Sequence, residues 1–287
     1  MGGIGCLTSL FTDYSVERTL DVLVELGYDA IELNCDTDLP NFSAHVTADT
    51  PPQRRDAIRQ AIEDSGLFLS SLCVHHSLME ADPRQRAAAL DLACRSIDLA
   101  VDLGTDIVHI ASGMMTRGHG EQEHWPWMAD AARRCVEYGR EKGVRVAIEA
   151  GVFPGLLVWN TESVLKLLDL AGCADLYVNF DPSHYQPAGD DCVATFRRLR
   201  DRIIHVHAKD GAGKRDTFSF PALNDGDVDW AGLCQVMIDT DYRGVISVEY
   251  EAHFFASGYD KDPLGAARQS KAFLDDVFAD WLDRFRA

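Results

Sequence analysis

Short apolar runs rich in β-branched residues recur along the chain, and each run ends on small or polar residues. Runs of this kind are typical of buried β-strands, and the stretches between them carry apolar residues at the spacing of an amphipathic helix. Eight strands are predicted in this way, over residues 4–8, 28–33, 67–74, 106–111, 144–149, 175–180, 202–207 and 244–249. The pattern therefore predicts eight successive β/α units.

The ends of the predicted helices carry a repeated signal. A glycine stands shortly before the next strand at Gly27, Gly66, Gly104, Gly143 and Gly172, where a left-handed cap would turn the chain back toward the sheet. Alternating strands and helices imply a parallel sheet, and eight repeats favour a closed barrel over an open doubly wound sheet. The fold class is therefore predicted as α/β, a single (β/α)8 TIM barrel that forms one domain over residues 1–287.

Composition limits the kinds of partner. The chain has 287 residues, of which 46% are hydrophobic, and a formal charge of −19. Such acidity disfavours a nucleic-acid partner, and no apolar run approaches the roughly 18 residues of a membrane span. The eight cysteines are scattered singly and never form a CxxC pair, which indicates reduced, buried thiols. We expect a cytoplasmic protein without a nucleic-acid or membrane partner.

Four consecutive predicted strands end in residues that can bind a metal. These residues are Glu149, Asp181, His207 and Glu249. Because adjacent parallel strands lie about 4.8 Å apart and barrel chemistry sits at their C-terminal ends, the four side chains are expected to converge on one cation. Three carboxylates and one imidazole suit Mn²⁺ or Mg²⁺, and Co²⁺ or Zn²⁺ would also fit. The pattern predicts one divalent metal ion, with Mn²⁺ favoured.

Each position also has an ordinary structural explanation. Glu149 could pair with a basic residue, and Asp181 could start a turn before Pro182. His205 and His207 share one face of their strand, so one of them could be a core histidine. The coincidence on four successive strand ends favours a functional site over these separate explanations.

The motifs at these strand ends match a known family. The sequence resembles the sugar phosphate isomerase/epimerase family of xylose-isomerase-like barrels, which includes ketose 3-epimerases, hydroxypyruvate isomerase and inosose dehydratase. The motifs that carry the resemblance are the strand-five glutamate, Asp-x-x-His, His-x-His-x-Lys-Asp and the strand-eight glutamate, at Glu149, Asp181 to His184, His205 to Asp210 and Glu249.

The resemblance implies roles for individual residues. Glu149, Asp181, His207 and Glu249 would be the metal ligands, with Glu251 left open as an alternative on strand eight. His184 would bind a substrate hydroxyl, and Lys209 would contact the substrate at the pocket mouth.

The sequence departs from the ketose 3-epimerases in two places. They carry a second glutamate shortly after the strand-five ligand, whereas this chain has residues 150–155 without an acid. They also carry an arginine soon after the strand-seven histidine, where this chain offers Lys214 and Arg215 at shifted positions. Arg215 is predicted to contact substrate, and the departures disfavour a standard epimerase of free ketoses.

The predicted reaction is proton abstraction beside a carbonyl through a metal-stabilised enediolate, with Glu149 and Glu249 as the catalytic acid/base pair. The predicted partner is a small carbohydrate, and the activity is that of a sugar isomerase or epimerase. The alternative is a dehydratase or lyase that eliminates a β-substituent from a keto-sugar, keto-inositol or 3-keto-glycoside. A nuclease resembling abasic-site endonucleases and a non-catalytic sugar-binding subunit are weaker alternatives. An apolar helix after Asp262 is predicted to complete the barrel, and a surplus apolar edge on it would suit a homo-oligomer.

Overall fold

The computed structural model describes residues 2–36, 44–251 and 261–286. Its strands are β1 Gly3–Leu7, β2 Ala30–Asn34, β3 Phe68–Val74, β4 Ile107–Ala111, β5 Arg145–Glu149, β6 Leu176–Phe180, β7 Ile203–Ala208 and β8 Val245–Val248. Each strand pairs in parallel with the next, and β8 pairs with β1. The predicted closed (β/α)8 barrel is confirmed.

Helices surround this barrel. Within the described residues they are α1 Val16–Glu25, α2 Pro52–Ser65, α3 Pro83–Leu103, α4 Glu121–Lys142, α5 Thr161–Ala171, α6 Pro182–Ala188, α7 Cys192–Leu199, α8 Trp230–Asp239, α9 Pro263–Val277 and α10 Ala279–Arg286. Two short helices, α6 and α7, follow β6. No helix among the described residues combines the length and the apolar character that crossing a membrane requires.

The C-terminal helical segment differs from the single helix that the sequence predicts, because it divides at Phe278 into α9 and α10. Phe278 and Trp281 are fully buried. The Trp281 ring stacks on Tyr242 with centroids 6.0 Å apart, and its Nε1–H donates to the Tyr242 carbonyl at 3.1 Å. These apolar residues pack inside the fold, so they lend no support to the predicted homo-oligomer.

The predicted glycine caps are present. Backbone φ is positive at each of them, between +65° and +89°, at Gly27, Gly66, Gly104, Gly143 and Gly172. A Cβ at Gly66, Gly143 or Gly172 would meet no atom within 4 Å. The left-handed backbone of the cap, and not crowding, therefore accounts for glycine at these helix ends.

The barrel interior contains a layer of polar side chains. Glu32 on β2, Asn179 on β6, and His205 and His207 on β7 are fully shielded from solvent. Parallel strands in such a barrel are covered on both faces, so each of these groups needs a partner inside the protein. This layer lies directly beneath the strand ends that carry the candidate site.

Candidate metal centre

The structure brings together the four residues that the sequence singles out. Glu149 ends β5, Asp181 follows β6, His207 lies near the end of β7, and Glu249 follows β8. One potential ligand atom from each residue lies within 4.8 Å of those of the other three, and all four residues are buried. Glu249, rather than Glu251, is the strand-eight residue in this four-residue cluster.

His207 lies between two of the carboxylates. Its Nδ1 is 3.3 Å from Glu149 Oε2 and 3.1 Å from Glu249 Oε2. Burial works to lower the pKa of His207, but Glu249, Glu149 and Glu32 outweigh it and hold that pKa well above its ordinary value. Burial works in the opposite sense on Glu149, yet His207 and His75 keep its pKa well below the ordinary range. Glu149 and Glu249 are thus ionised carboxylates that face an imidazolium.

Asp181 has two contacts that use different oxygens. Its Oδ1 accepts a hydrogen bond from the Ser183 backbone N–H at 2.8 Å, and this bond caps the N-terminus of α6. Asp181 therefore also has the structural role of starting the turn before Pro182. Its Oδ2 faces Lys209 Nζ at 2.9 Å. Burial, reinforced by the nearby Glu249 and Glu149, raises the pKa of Asp181 to about 7 despite the Lys209 ammonium.

Lys209 lies deeper than predicted. Instead of sitting at the pocket mouth, it is buried, with Nζ 2.5 Å from Glu249 and 2.7 Å from Glu251 in addition to its contact with Asp181. A buried ammonium needs such partners. Burial works to lower the pKa of Lys209, but these three carboxylates raise it well above its ordinary value. Lys209 therefore serves as an internal counter-ion to the acidic cluster.

His184 lies beside the cluster, and its predicted contact with a substrate hydroxyl stays a prediction. The Val152 backbone N–H lies 3.2 Å from its Nδ1, and the Lys209 ammonium lies 3.3 Å from its Nε2. Nε2 faces Asp181 Oδ2 at 3.4 Å. Burial and the adjacent Lys209 keep the pKa of His184 well below its ordinary value, so the ring is neutral.

Arg215 has a different environment. Its guanidinium stacks on the Trp159 ring at 3.6 Å from the centroid, and its Nε–H donates to the Val152 carbonyl at 3.3 Å. These contacts hold the loop after β7 against the loop after β5. The predicted contact of Arg215 with substrate stays a prediction.

Sequence reasoning missed the layer that supports two of the donors. Glu32 accepts from His207 Nε2 at 3.1 and 3.2 Å. Asn179 Nδ2 donates to Glu149 Oε2 at 2.5 Å, and Asn179 Oδ1 is 3.0 Å from His205 Nδ1. His205 is thus the core histidine of the His-x-His pair. The signal for this layer in the sequence is the presence of polar residues, such as Glu32 and Asn179, within otherwise apolar strands.

A second group of potential donors adjoins the first. Asp36, Cys73 and His75 have potential ligand atoms within 4.8 Å of one another, and His75 Nε2 lies 3.4 Å from Glu149 Oε2. Burial works to lower the pKa of His75, but Glu149 and Asp36 raise it to about 10. His75 therefore adds a second positive charge beside Glu149. All eight cysteines, including Cys73, are free thiols.

A cavity of about 610 Å³ reaches one member of the four-residue cluster, Glu149, which forms part of its lining. The polar residues of its lining are His75, Ser77, Glu80, Ser112, Thr116, Glu149, His184 and Glu251. This volume is within the range of small-molecule sites, about 300–1,000 Å³. Glu149 therefore connects the cluster to a cavity at the C-terminal ends of the strands, where barrel enzymes hold their active sites.

Comparison with known proteins agrees with this architecture. The family model described as the xylose isomerase-like TIM barrel matches residues 20–277. The chain belongs to this family. In this xylose isomerase-like barrel, the matched region contains all four residues of the cluster.

Relatives of this xylose isomerase-like protein include enzymes of two reaction types. It is 29% identical over 145 residues to inosose dehydratase from Clostridium perfringens, a match that covers 45% of this chain and about half, 48%, of that enzyme. It is 23% identical to fructoselysine 3-epimerase from Shigella flexneri, over 95% of this chain and 92% of the epimerase. The matched relatives are enzymes that act as a dehydratase or as an epimerase.

A solved structure shows the same fold. The IolI protein, in a crystal structure with a bound zinc atom, superposes with a TM-score of 0.81 at 15% identity, over 97% of this chain and 98% of that chain.

Proposed function

We propose that the protein is a divalent-metal-dependent sugar isomerase or epimerase that removes a proton next to a carbonyl. The observation that carries this proposal is the buried cluster of Glu149, Asp181, His207 and Glu249 at the open end of the barrel. The epimerase relative and the zinc in the IolI structure support it.

The donor set fits a hard or borderline divalent cation. Three carboxylates and one imidazole nitrogen are ligands that Mn²⁺ accepts, and the cluster contains no thiolate that would select a soft metal. We propose Mn²⁺ as the ion. When bound, the cation would polarise a substrate carbonyl and stabilise the negative charge that develops beside it.

Glu149 and Glu249 are the proposed acid/base pair. Glu149 ends β5 and Glu249 follows β8, which are not neighbours in the barrel, and both lie near His207 Nδ1, at 3.3 and 3.1 Å. We propose that they approach a substrate above the cluster from two directions. Lys209 and His207 outweigh the effect of burial and lower the pKa of Glu249, and the pKa of Glu149 is also lowered. Both carboxylates are therefore ionised at neutral pH and able to accept a proton. Two such groups suit epimerisation, in which a proton leaves one face and returns to the other.

Elimination is the second candidate reaction. His184 lines the cavity, and the Lys209 ammonium lies 3.3 Å from its Nε2, so Lys209 could supply the proton to a departing hydroxyl group. The inosose dehydratase relative supports this alternative. In that case, the same proton abstraction would be followed by loss of the β-substituent.

Deuterium exchange tests both reactions. The Mn²⁺-loaded protein is incubated in D₂O with ketoses, keto-inositols and 3-keto-glycosides, and substrates and products are analysed by NMR and mass spectrometry. We expect deuterium at the carbon next to the carbonyl. A stereoisomeric product would indicate epimerisation, and a product lighter by one water would indicate dehydration.

Two variants control the exchange experiment. Glu149→Gln should abolish exchange, whereas Glu141→Gln, a change on the exposed side of α4, should leave it intact. The metal content of each variant is measured in parallel. It shows whether Glu149→Gln stops exchange because the base is missing or because the metal ion no longer binds. Deuterium exchange that persists in Glu149→Gln, or in chelator-treated protein, would overturn the proposal. DNA binding that weakens as salt is added would instead favour a nuclease.

A further inference from the structure

Five large apolar side chains line the cavity, alongside its polar residues. They are Met114, Met115, Phe153, Pro154 and Leu156. We call these five residues the apolar wall. Glu149 belongs both to the metal cluster and to the cavity lining, so a ligand that reaches Glu149 lies in the same cavity as this wall.

The wall is assembled from two loops that are joined by backbone contacts. Met114, after β4, forms an antiparallel bridge with Leu156, after β5, and the Met115 N–H donates to the Gly155 carbonyl at 2.9 Å. Gly155 has φ +96°, and a Cβ there would lie 2.8 Å from Met114 Cε. The glycine thus allows the methionine side chain to pack across the loop. The two loops act as one surface.

Aromatic residues support the wall from the side of His184. Phe153 packs edge to face on Phe218 and Phe220, with ring centroids 5.3 and 6.0 Å away. Phe220 also packs edge to face on His184 at 5.3 Å. The apolar surface therefore continues to the residue that is proposed to contact substrate.

The five side chains of the apolar wall offer no hydrogen-bond partner to a hydroxyl group of a ligand. A sugar hydroxyl pressed against Met114 or Phe153 would lose its hydrogen bonds to water and gain none from those side chains. An apolar substituent at the same place would gain from leaving water, and methionine adapts its shape to such groups. Met114 is 54% exposed, which leaves apolar surface available for such a contact.

We infer that the substrate is a glycoside whose sugar ring carries a ketone and whose aglycone is apolar. This inference rests on the function proposed above. In this binding mode the oxidised sugar ring lies beside Glu149 and His184, and the aglycone lies against the apolar wall. Residues 150–154, Ala-Gly-Val-Phe-Pro, begin this wall where ketose 3-epimerases carry their second glutamate.

Calorimetry with paired ligands tests the inference. Phenyl and methyl 3-keto-β-D-glucopyranosides, which differ in the aglycone, are titrated into the Mn²⁺-loaded protein. We expect the phenyl compound to bind about tenfold or more tightly than the methyl compound. Met114→Ser and, separately, Leu156→Ser should reduce this ratio. Leu170→Ser, which changes an exposed leucine on α5, should leave it unchanged.

The outcomes separate this inference from the proposed reaction. Equal affinity for the two glycosides, or a preference that survives both wall substitutions, would overturn the inference. If free ketoses exchange deuterium while the phenyl preference is absent, the reaction stands and the inference falls. If the phenyl preference is present without any deuterium exchange, the substrate class stands and the proposed reaction falls.

Discussion

Glu32 and His207 meet across the inside of the barrel, 175 residues apart in sequence, with both Glu32 carboxylate oxygens 3.1 to 3.2 Å from His207 Nε2. Burial works to raise the pKa of Glu32, but His207, His205 and His109 outweigh it and keep that pKa well below its ordinary value. An ionised carboxylate can only accept, so Nε2 must carry a proton. Nδ1 then faces Glu149 and Glu249, as a metal ligand would.

Replacing Glu32 should weaken metal binding without removing any donor of the cluster. We expect Glu32→Gln to lower the affinity for Mn²⁺ by about 10- to 100-fold, because the support that orients a metal-bound histidine is typically worth that much. Competition with a fluorescent chelator measures the affinity, and ¹⁵N NMR of the histidine rings reports the tautomer of His207.

A matched change shows whether the effect belongs to this contact. Glu25→Gln, on the exposed side of α1, should leave the affinity for Mn²⁺ unchanged. If Glu32→Gln binds Mn²⁺ as tightly as the unmodified protein and keeps the Nε2–H tautomer, Glu32 has no positioning role.

The contrast between Glu32 and the four cluster residues shows what sequence reasoning can reach. The cluster could be predicted because each member ends one of four consecutive strands, and the geometry of a parallel barrel brings such positions together. The role of Glu32 depends on side-chain contacts across the barrel interior, which strand order does not specify. A glutamate within an apolar strand indicates that its side chain has a specific role, but the sequence does not show that its partner is His207.

The misplacement of Lys209 has a related cause. Strand alternation indicates only which face a residue occupies, and the depth of a long side chain depends on the charges around it. Asp181 from β6 and Glu249 and Glu251 from the end of β8 draw the ammonium inward. The packing of Arg215 on Trp159 likewise depends on loop conformations that spacing does not determine.

The buried position of Lys209 leads to a prediction about stability. Lys209→Met should lower the free energy of unfolding of the metal-free protein by about 3–5 kcal/mol, because it leaves buried carboxylates without their counter-ion. Mn²⁺ should then raise the melting temperature more in the variant than in the unmodified protein. Thermal unfolding with and without Mn²⁺ measures both effects.

An exposed ion pair provides the control for Lys209. Lys142 pairs with Asp98 at 2.7 Å, and both side chains are 38% exposed. Lys142→Met should cost at most about 1 kcal/mol, and it should not alter the response to Mn²⁺. Equal melting temperatures for Lys209→Met and Lys142→Met would contradict a counter-ion role for Lys209.

Metal binding should release protons. Asp181, with a pKa of about 7, is largely protonated at pH 6 and ionised at pH 8, and His207, with its pKa raised, must lose the Nδ1 proton to bind an ion. Protons therefore compete with the metal at low pH, and the Kd for Mn²⁺ should fall as pH rises from 6 to 8. Calorimetry in buffers of different ionisation enthalpy counts the protons. A Kd that does not change with pH would contradict this arrangement.

Asp210, the last residue of the His-x-His-x-Lys-Asp motif, has a structural role that can be separated from metal binding. Its carboxylate accepts from the backbone N–H groups of Gly211, Asn224 and Val228 and from Trp230 Nε1–H, at 2.9 to 3.2 Å. These bonds hold both ends of the loop that carries Phe218 and Phe220.

Asp210→Asn would turn an amide N–H toward some of these donors, so it should lower the free energy of unfolding by about 1–3 kcal/mol in urea titrations. Asp225→Asn, an exposed change in the same loop, should stay within about 0.5 kcal/mol. Because Asp210 touches none of the four cluster residues through these bonds, its variant should keep the affinity for Mn²⁺. A loss of affinity as large as that expected for Glu32→Gln would mean that the loop, and not the barrel interior, positions the metal ligands.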